Sequence, residues 1–125
     1  MANIDINIEE AWKISSETEN KRTVTVAIID TGIDTDHSDL KDSIWINEDE
    51  IPGDGIDNDG NGYVDDVNGW NFISNSNEVC VGEEDSHGTH GAGTIAAVWN
   101  NGGIAGIADN THVKIMVLKA LGGSE

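Results

Sequence analysis

The sequence predicts an α/β fold built on a mostly parallel sheet, and three observations carry that prediction. TVTVAIID, Thr23 to Asp30, is rich in β-branched residues and almost continuously apolar, as a strand covered on both faces would be. VKIMVLKA, Val113 to Ala120, repeats that character near the other end of the chain. Between them HGTHGAGTIAAVW, His87 to about Trp99, reads as a helix whose small residues permit close approach to a sheet. Strand, crossover, helix and strand in that order make an α/β pattern.

The elements follow in chain order. Asn7 and Glu10 have the three-residue spacing of a capping box, and Ile4, Ile8 and Trp12 follow at helical spacing, which predicts a surface helix to about Glu17. The polar break ETENKR separates it from the first strand. From Ser43 to Glu84 the composition shifts to Gly, Asn, Asp and Glu, with scattered anchors at Trp45, Tyr63, Trp70 and Phe72 and a short strand expected near Asn68 to Ile73. Structureless excursions of this length are uncommon unless they are functional or held by something such as an ion. NNGG, Asn100 to Gly103, ends the helix, and no internal repeat interrupts the reading of residues 1–125 as one domain.

Charge narrows the function classes. The 125 residues carry 24 acidic side chains against 6 basic ones, with no Lys or Arg between Lys41 and Lys114, so nucleic acid is not an expected partner. No apolar run approaches the roughly 20 residues of a membrane helix, so no membrane partner is expected. Cys80 is alone and cannot form an internal disulfide; an inert thiol is expected. The start MANIDINIEEAWK lacks the basic and apolar stretches of a secretory signal, so either the chain stays where it is made or Met1 is not the native beginning.

An acidic excess reads either as a solvated surface or as metal binding, and spacing has to decide. In GDGIDNDGNGYVDDVNGW, Asp57, Asp59 and Asn61 stand two apart, Gly62 follows at the sharp-turn place and Tyr63 can offer a carbonyl, as in the first half of a calcium loop. The register then fails, because position twelve is Asn68 and not a bidentate Glu. Asp65 and Asp66 can complete a shell, which leaves Ca²⁺ against a merely solvated acidic turn.

Asp30 stands where a parallel strand runs out into a glycine-containing turn, the edge at which sites of open α/β sheets collect. A carboxylate there can cap the turn, or it can accept the Nδ1 proton of a histidine and stabilise the imidazolium formed in acyl transfer. His87, opening a helix after a polar segment, favours the second use.

DTGID (Asp30 to Asp34), HSDL (His37 to Leu40), HGTHGAGTIAA (His87 to Ala97), GIA (Gly106 to Ala108) and KIMVLKALGG (Lys114 to Gly123) together resemble the subtilisin-like serine proteases, the subtilase family. The resemblance implies a three-layer α/β fold of which this chain is the incomplete, N-terminal portion, with 43–84 an acidic insertion between Asp and His. It implies serine endopeptidase chemistry in which Asp30 orients His87 and His87 acts as general base and then general acid. His90 would be a packed structural residue and His37 part of a local turn. Gly91, where the family commonly has Val, would loosen local packing. The family's nucleophile lies in a GTSMA-type motif that is absent here, and Ser124 is no substitute, so this chain alone is expected to be inactive.

The resemblance also implies a second calcium site at Asp39 and Asn100, although the family's N-terminal ligand has no match. The partners it implies are a polypeptide substrate, added along an edge beginning at Leu121 to Gly123, and the remaining C-terminal part of the domain. A zinc pair of His87 and His90 is disfavoured, because they stand three apart with no Glu between them. The alternative function is a non-catalytic calcium-binding or protein-binding module derived from the same fold, and a truncated product without function is a third reading. The resemblance implies a secreted parent enzyme, and these 125 residues themselves contain no signal peptide.

Overall fold

A computed structural model describes residues 5–122. Helix α1 spans Ile8–Glu17, strand β1 Val24–Asp30, strand β2 Gly69–Asn71, helix α2 Ser86–Ala96 and strand β3 Val113–Lys119. The sheet order is β1-β3-β2 and both pairings are parallel, with Val24 opposite Val113, Asp30 opposite Lys119, and Gly69 opposite Val117. The two long apolar runs are therefore neighbours, and the short β2, drawn from the acidic stretch, closes the other side of β3.

Alternation along the strands sorts their side chains onto two faces. Val26, Ile28, Ile115 and Val117 share the face against which α2 packs. With Ile33, Leu40, Ile44, Val79, Ala92 and Ala96 they form the core. Complete burial of Ile115 and Val117 contributes roughly 1.5–3 kcal/mol each. The opposite face differs from expectation. Thr25, Ala27 and Ile29 are exposed, Ile29 by 66%, so β1 is not covered on both sides among the described residues. Loop residues border that face in part: Tyr63, Trp70 and Phe72 at Met116 and Leu118, and Trp45 and Ile46 at Thr25 and Lys114.

Helix α2 stops at Ala96 rather than near Trp99, for a reason no periodicity reveals. Its last carbonyls are taken by tertiary donors: Ile107 N–H binds Thr94 O at 2.9 Å, Ala108 N–H binds Ile95 O at 2.8 Å, and the buried Ser43 hydroxyl binds Ala96 O at 2.5 Å. Val98 N–H, which a longer helix would direct at Thr94 O, binds Asp39 O at 2.9 Å instead. Asn7 begins α1 with φ of 56°, and its side-chain amide donates to the Glu10 carboxylate rather than accepting a backbone N–H, so the predicted capping box is a side-chain pair. No residue of α1 is fully buried; Trp12 attaches it through a ring contact with Trp99 at 5.0 Å and an indole N–H to Ile107 O at 2.7 Å. Ile4, Gly123 and Ser124 lie outside the described residues.

Candidate active site

Strand β1 ends at Asp30 and α2 begins one residue before His87, so the two elements deliver these side chains to one end of the sheet. His87 Nδ1 lies 2.9 Å from Asp30 Oδ1 and 3.0 Å from Oδ2. Close approach of helix to strand makes this geometry available. A Cβ on Gly88 would stand 2.1 Å from the Gly32 carbonyl oxygen, so only glycine lets the helix come in this far. Gly88 N–H donates to Thr31 Oγ1 at 3.1 Å and Asp34 N–H to Thr89 Oγ1 at 2.9 Å, stitching the first turn of α2 to the residues after Asp30.

The electrostatics follow from these contacts. The Thr31 N–H, 2.6 Å from Oδ1, holds the Asp30 carboxyl below its usual range; partial burial opposes this and the His87 imidazole reinforces it. Asp30 is thus a carboxylate at neutral pH. The imidazole is 81% exposed against 21% for its partner. With Nδ1 engaged, Nε2 is the nitrogen left for chemistry in the open.

The other histidines are placed differently. His37 Nδ1 accepts the Asp39 N–H at 3.1 Å inside a local turn, while His90 stands exposed on α2 rather than packed. Among the described residues nothing lies within 4 Å of a Cβ built on Gly91. Cys80 is exposed, and partial burial of its thiol together with the charges of Asp85 and Asp34 pushes its pKa up, away from reactive thiolate.

The predicted metal ligands divide. Asp59 joins Glu50 and Asp66 in a group whose oxygens lie within 4.8 Å of one another. Among the described residues no Lys, Arg or His pairs with them; the Asn47 amide donates to Asp59 and Asp66 at 3.0 and 2.9 Å, and the Asn61 amide to the same two at 3.0 Å. The Asn47 bond is the largest cause that holds Asp59 below its ordinary pKa. Three carboxylates with neutral amides between them form a hard-oxygen donor set that suits Ca²⁺. Asp57 instead accepts the Asn61 and Gly62 N–H groups, and the buried Asp65 those of Gly53 and Gly55, so both shape the loop. Glu50 escaped the sequence reading because it precedes the motif; its carboxylate accepts the N–H groups of Asn58, Asp59 and Asp65 and so folds the loop around itself.

At the second predicted metal site the partner of Asp39 is Asn101 and not Asn100. The Asn101 amide donates to Asp39 Oδ1 at 2.8 Å and Ile104 N–H to Oδ2 at 3.3 Å, while Asn100 is exposed with φ of 65°. Both oxygens of Asp39 face N–H donors, and among the described residues it belongs to no group of three His, Cys, Asp or Glu side chains close enough to share an ion.

Residues 21–125 match the Subtilase family of peptidases. The chain is 46% identical over 105 residues to a protein named subtilisin-like protease 1 of Plasmodium vivax, covering 82% of this chain and 16% of that protein. It is 36% identical over 118 residues to the major intracellular serine protease of Bacillus subtilis, with coverage of 94% and 29%, and 32% identical over 109 residues to thermitase of Thermoactinomyces vulgaris, with coverage of 86% and 29%. It thus spans less than a third of the length of these relatives. With a family match across most of its length and a parallel sheet that brings DTG and HGTH together, the chain belongs to the subtilase family of serine proteases.

Proposed function

We propose that this chain supplies the acid–base half of a serine endopeptidase site. His87 takes the proton of a seryl hydroxyl through Nε2 and returns it to the leaving amine, while Asp30 fixes the Nδ1–H tautomer and stabilises the transient imidazolium. The observation that carries this reading is the contact of His87 Nδ1 with both Asp30 oxygens, at 2.9 and 3.0 Å, on an imidazole otherwise open to solvent. The nucleophilic serine comes from a segment outside these 125 residues. The substrate is an extended polypeptide, and its docking edge begins after β3, where Ala120 and Leu121 N–H groups bind Asp30 O at 2.9 and 3.2 Å.

Glu50, Asp59 and Asp66 are the residues that would hold Ca²⁺. Bound there, the ion would neutralise their mutual repulsion and stiffen the acidic 43–84 segment. Because this cluster does not involve His87, it also favours the second reading, a calcium-binding module without catalysis. Turnover of a chromogenic peptide by the longer protein separates the two. Hydrolysis abolished by His87→Ala and sharply reduced by Asp30→Asn is the expected result, with the 125-residue chain alone silent; hydrolysis undiminished by His87→Ala would sink the peptidase reading.

A further inference from the structure

Beneath the Asp30–His87 pair lies an ion pair that the acid–base chemistry does not use. Lys119 ends β3 directly opposite Asp30, on the same face as Ile115 and Val117, and is only 1% exposed. Its ammonium donates to Asp85 Oδ1 at 2.7 Å, to the Thr31 carbonyl, and to Leu121 O at 3.4 Å. Asp85, equally buried, lies two residues before His87; its other oxygen accepts the N–H groups of Val81 and Gly82. A Cβ on Gly32 would stand 2.7 Å from Asp85 Oδ1 and 2.5 Å from Val79 O, which shows how tightly the turn after Asp30 is pressed onto this carboxylate.

One buried ammonium therefore touches the residue after Asp30, the residue that opens the His87 helix, and the strand end at which the proposed substrate edge begins. A buried ion pair is a weak source of stability, since apolar residues of similar volume generally serve a core as well or better. What it supplies here is a fixed relation between three segments. We infer that Lys119 and Asp85 are positioning residues for the Asp30–His87 pair, acting through the Thr31 carbonyl on one side and the start of α2 on the other. The inference rests on the peptidase reading of that pair.

The test uses the longer protein with the double substitution Asp85→Asn and Lys119→Met, which removes both charges together and leaves neither buried alone. Positioning predicts a folded variant whose kcat falls by about 100-fold, the scale of a 1 Å misplacement of reacting groups, while KM stays within about twofold. It also predicts that the Asp30 carboxyl, followed by carbon NMR, titrates higher than in the parent as its bonds from Thr31 and His87 loosen. An unchanged kcat with an unchanged Asp30 titration overturns the inference. So does loss of folding in the double variant, because the pair would then serve the fold and not the site. Absence of turnover in the parent protein would count against the peptidase reading alone, and the Asp30 titration would still decide the positioning role.

Discussion

Replacing Gly88 by Ala tests the assembly of the site at a single atom. The added methyl would stand 2.1 Å from the Gly32 carbonyl oxygen, where real side chains essentially never come closer than 3.0 Å, so α2 must retreat by about 1 Å. Displaced by that much, the 2.9 and 3.0 Å contacts of His87 with Asp30 stretch to roughly 4 Å, outside hydrogen-bond range. The bond from Gly88 N–H to Thr31 Oγ1 is lost in the same movement. Overpacking of this kind costs about 1–3 kcal/mol, and the helix propensity gained on replacing glycine returns up to about 1 kcal/mol. Gly91→Ala, three residues along the same helix and with nothing within 4 Å of the new methyl, has only the propensity gain and is the control. Urea unfolding with an unchanged slope should show the first variant destabilised and the second neutral or stabilised. A Gly88→Ala protein as stable as Gly91→Ala would refute the claim that helix and strand meet here without room for a side chain.

Contacts elsewhere in the fold give further expected outcomes. Calorimetric titration with Ca²⁺ should show binding that Glu50→Gln or Asp66→Asn abolishes and Asp57→Asn spares; loss in Asp57→Asn alone would refute the three-carboxylate ligand set and favour the loop motif. At free Ca²⁺ 100-fold above its dissociation constant the parent should gain about 2.7 kcal/mol of stability. Asp109 is held far below the usual carboxylate range by the Thr111 hydroxyl and then by His112, and Asp85 is held low because bonds from Lys119, Val81 and Gly82 outweigh its burial. Both folded-state values lie below the unfolded one, so their stabilisation is complete above about pH 4 and drains away as the pH falls through the folded values; thermal midpoints between neutral and acid pH should fall, and less steeply in Asp109→Asn. Trp12→Ala removes both attachments of α1, and limited proteolysis should then cut between residues 17 and 23 much faster while the sheet signal in circular dichroism persists.

The sheet and the contact between Asp30 and His87 were legible because their signals lie in short motifs. A continuously apolar β-branched run announces a strand wherever it falls, and DTG at Asp30 and HGTH at His87 are each short motifs of contiguous residues, although the two side chains that meet stand 57 residues apart in sequence. The group of three carboxylates was half legible for the opposite reason. Asp59 came from the two-residue spacing of the loop, but Glu50 enters from outside that spacing, drawn in by three backbone N–H groups that only the folded loop presents. Asp57 and Asp65 have the right chemistry at the expected offsets and accept backbone N–H groups of the turns, as Glu50 does, but they lie outside the three-carboxylate group. Which asparagine contacts Asp39 was not legible: Asn100 takes the left-handed conformation, and the next side chain is the one that hydrogen-bonds to Asp39. Lys119 looked like any strand-end lysine, since no pattern in sequence says that a charge on the core face has a partner 34 residues away.

The uncovered side of the sheet yields the last prediction. The chain exposes 8041 Å², whereas a compact monomer of 13.3 kDa exposes roughly 6,500 Å². Part of the excess sits on one surface, where Thr25, Ala27 and Ile29 of β1 are exposed beside the half-buried Met116 and Leu118 of β3. Parallel sheets are stable when both faces are covered, because their strands are apolar on both. Ile29 is the probe. In the 125-residue chain its replacement by Thr should change the unfolding free energy by no more than about 0.5 kcal/mol, as for any exposed position, and should raise solubility. In the longer protein the same substitution should cost about 1.5–3 kcal/mol, the value of a buried aliphatic side chain. Equal and negligible effects in both would mean that this face stays in water throughout, and that the sheet tolerates an open apolar side that parallel architecture ordinarily forbids.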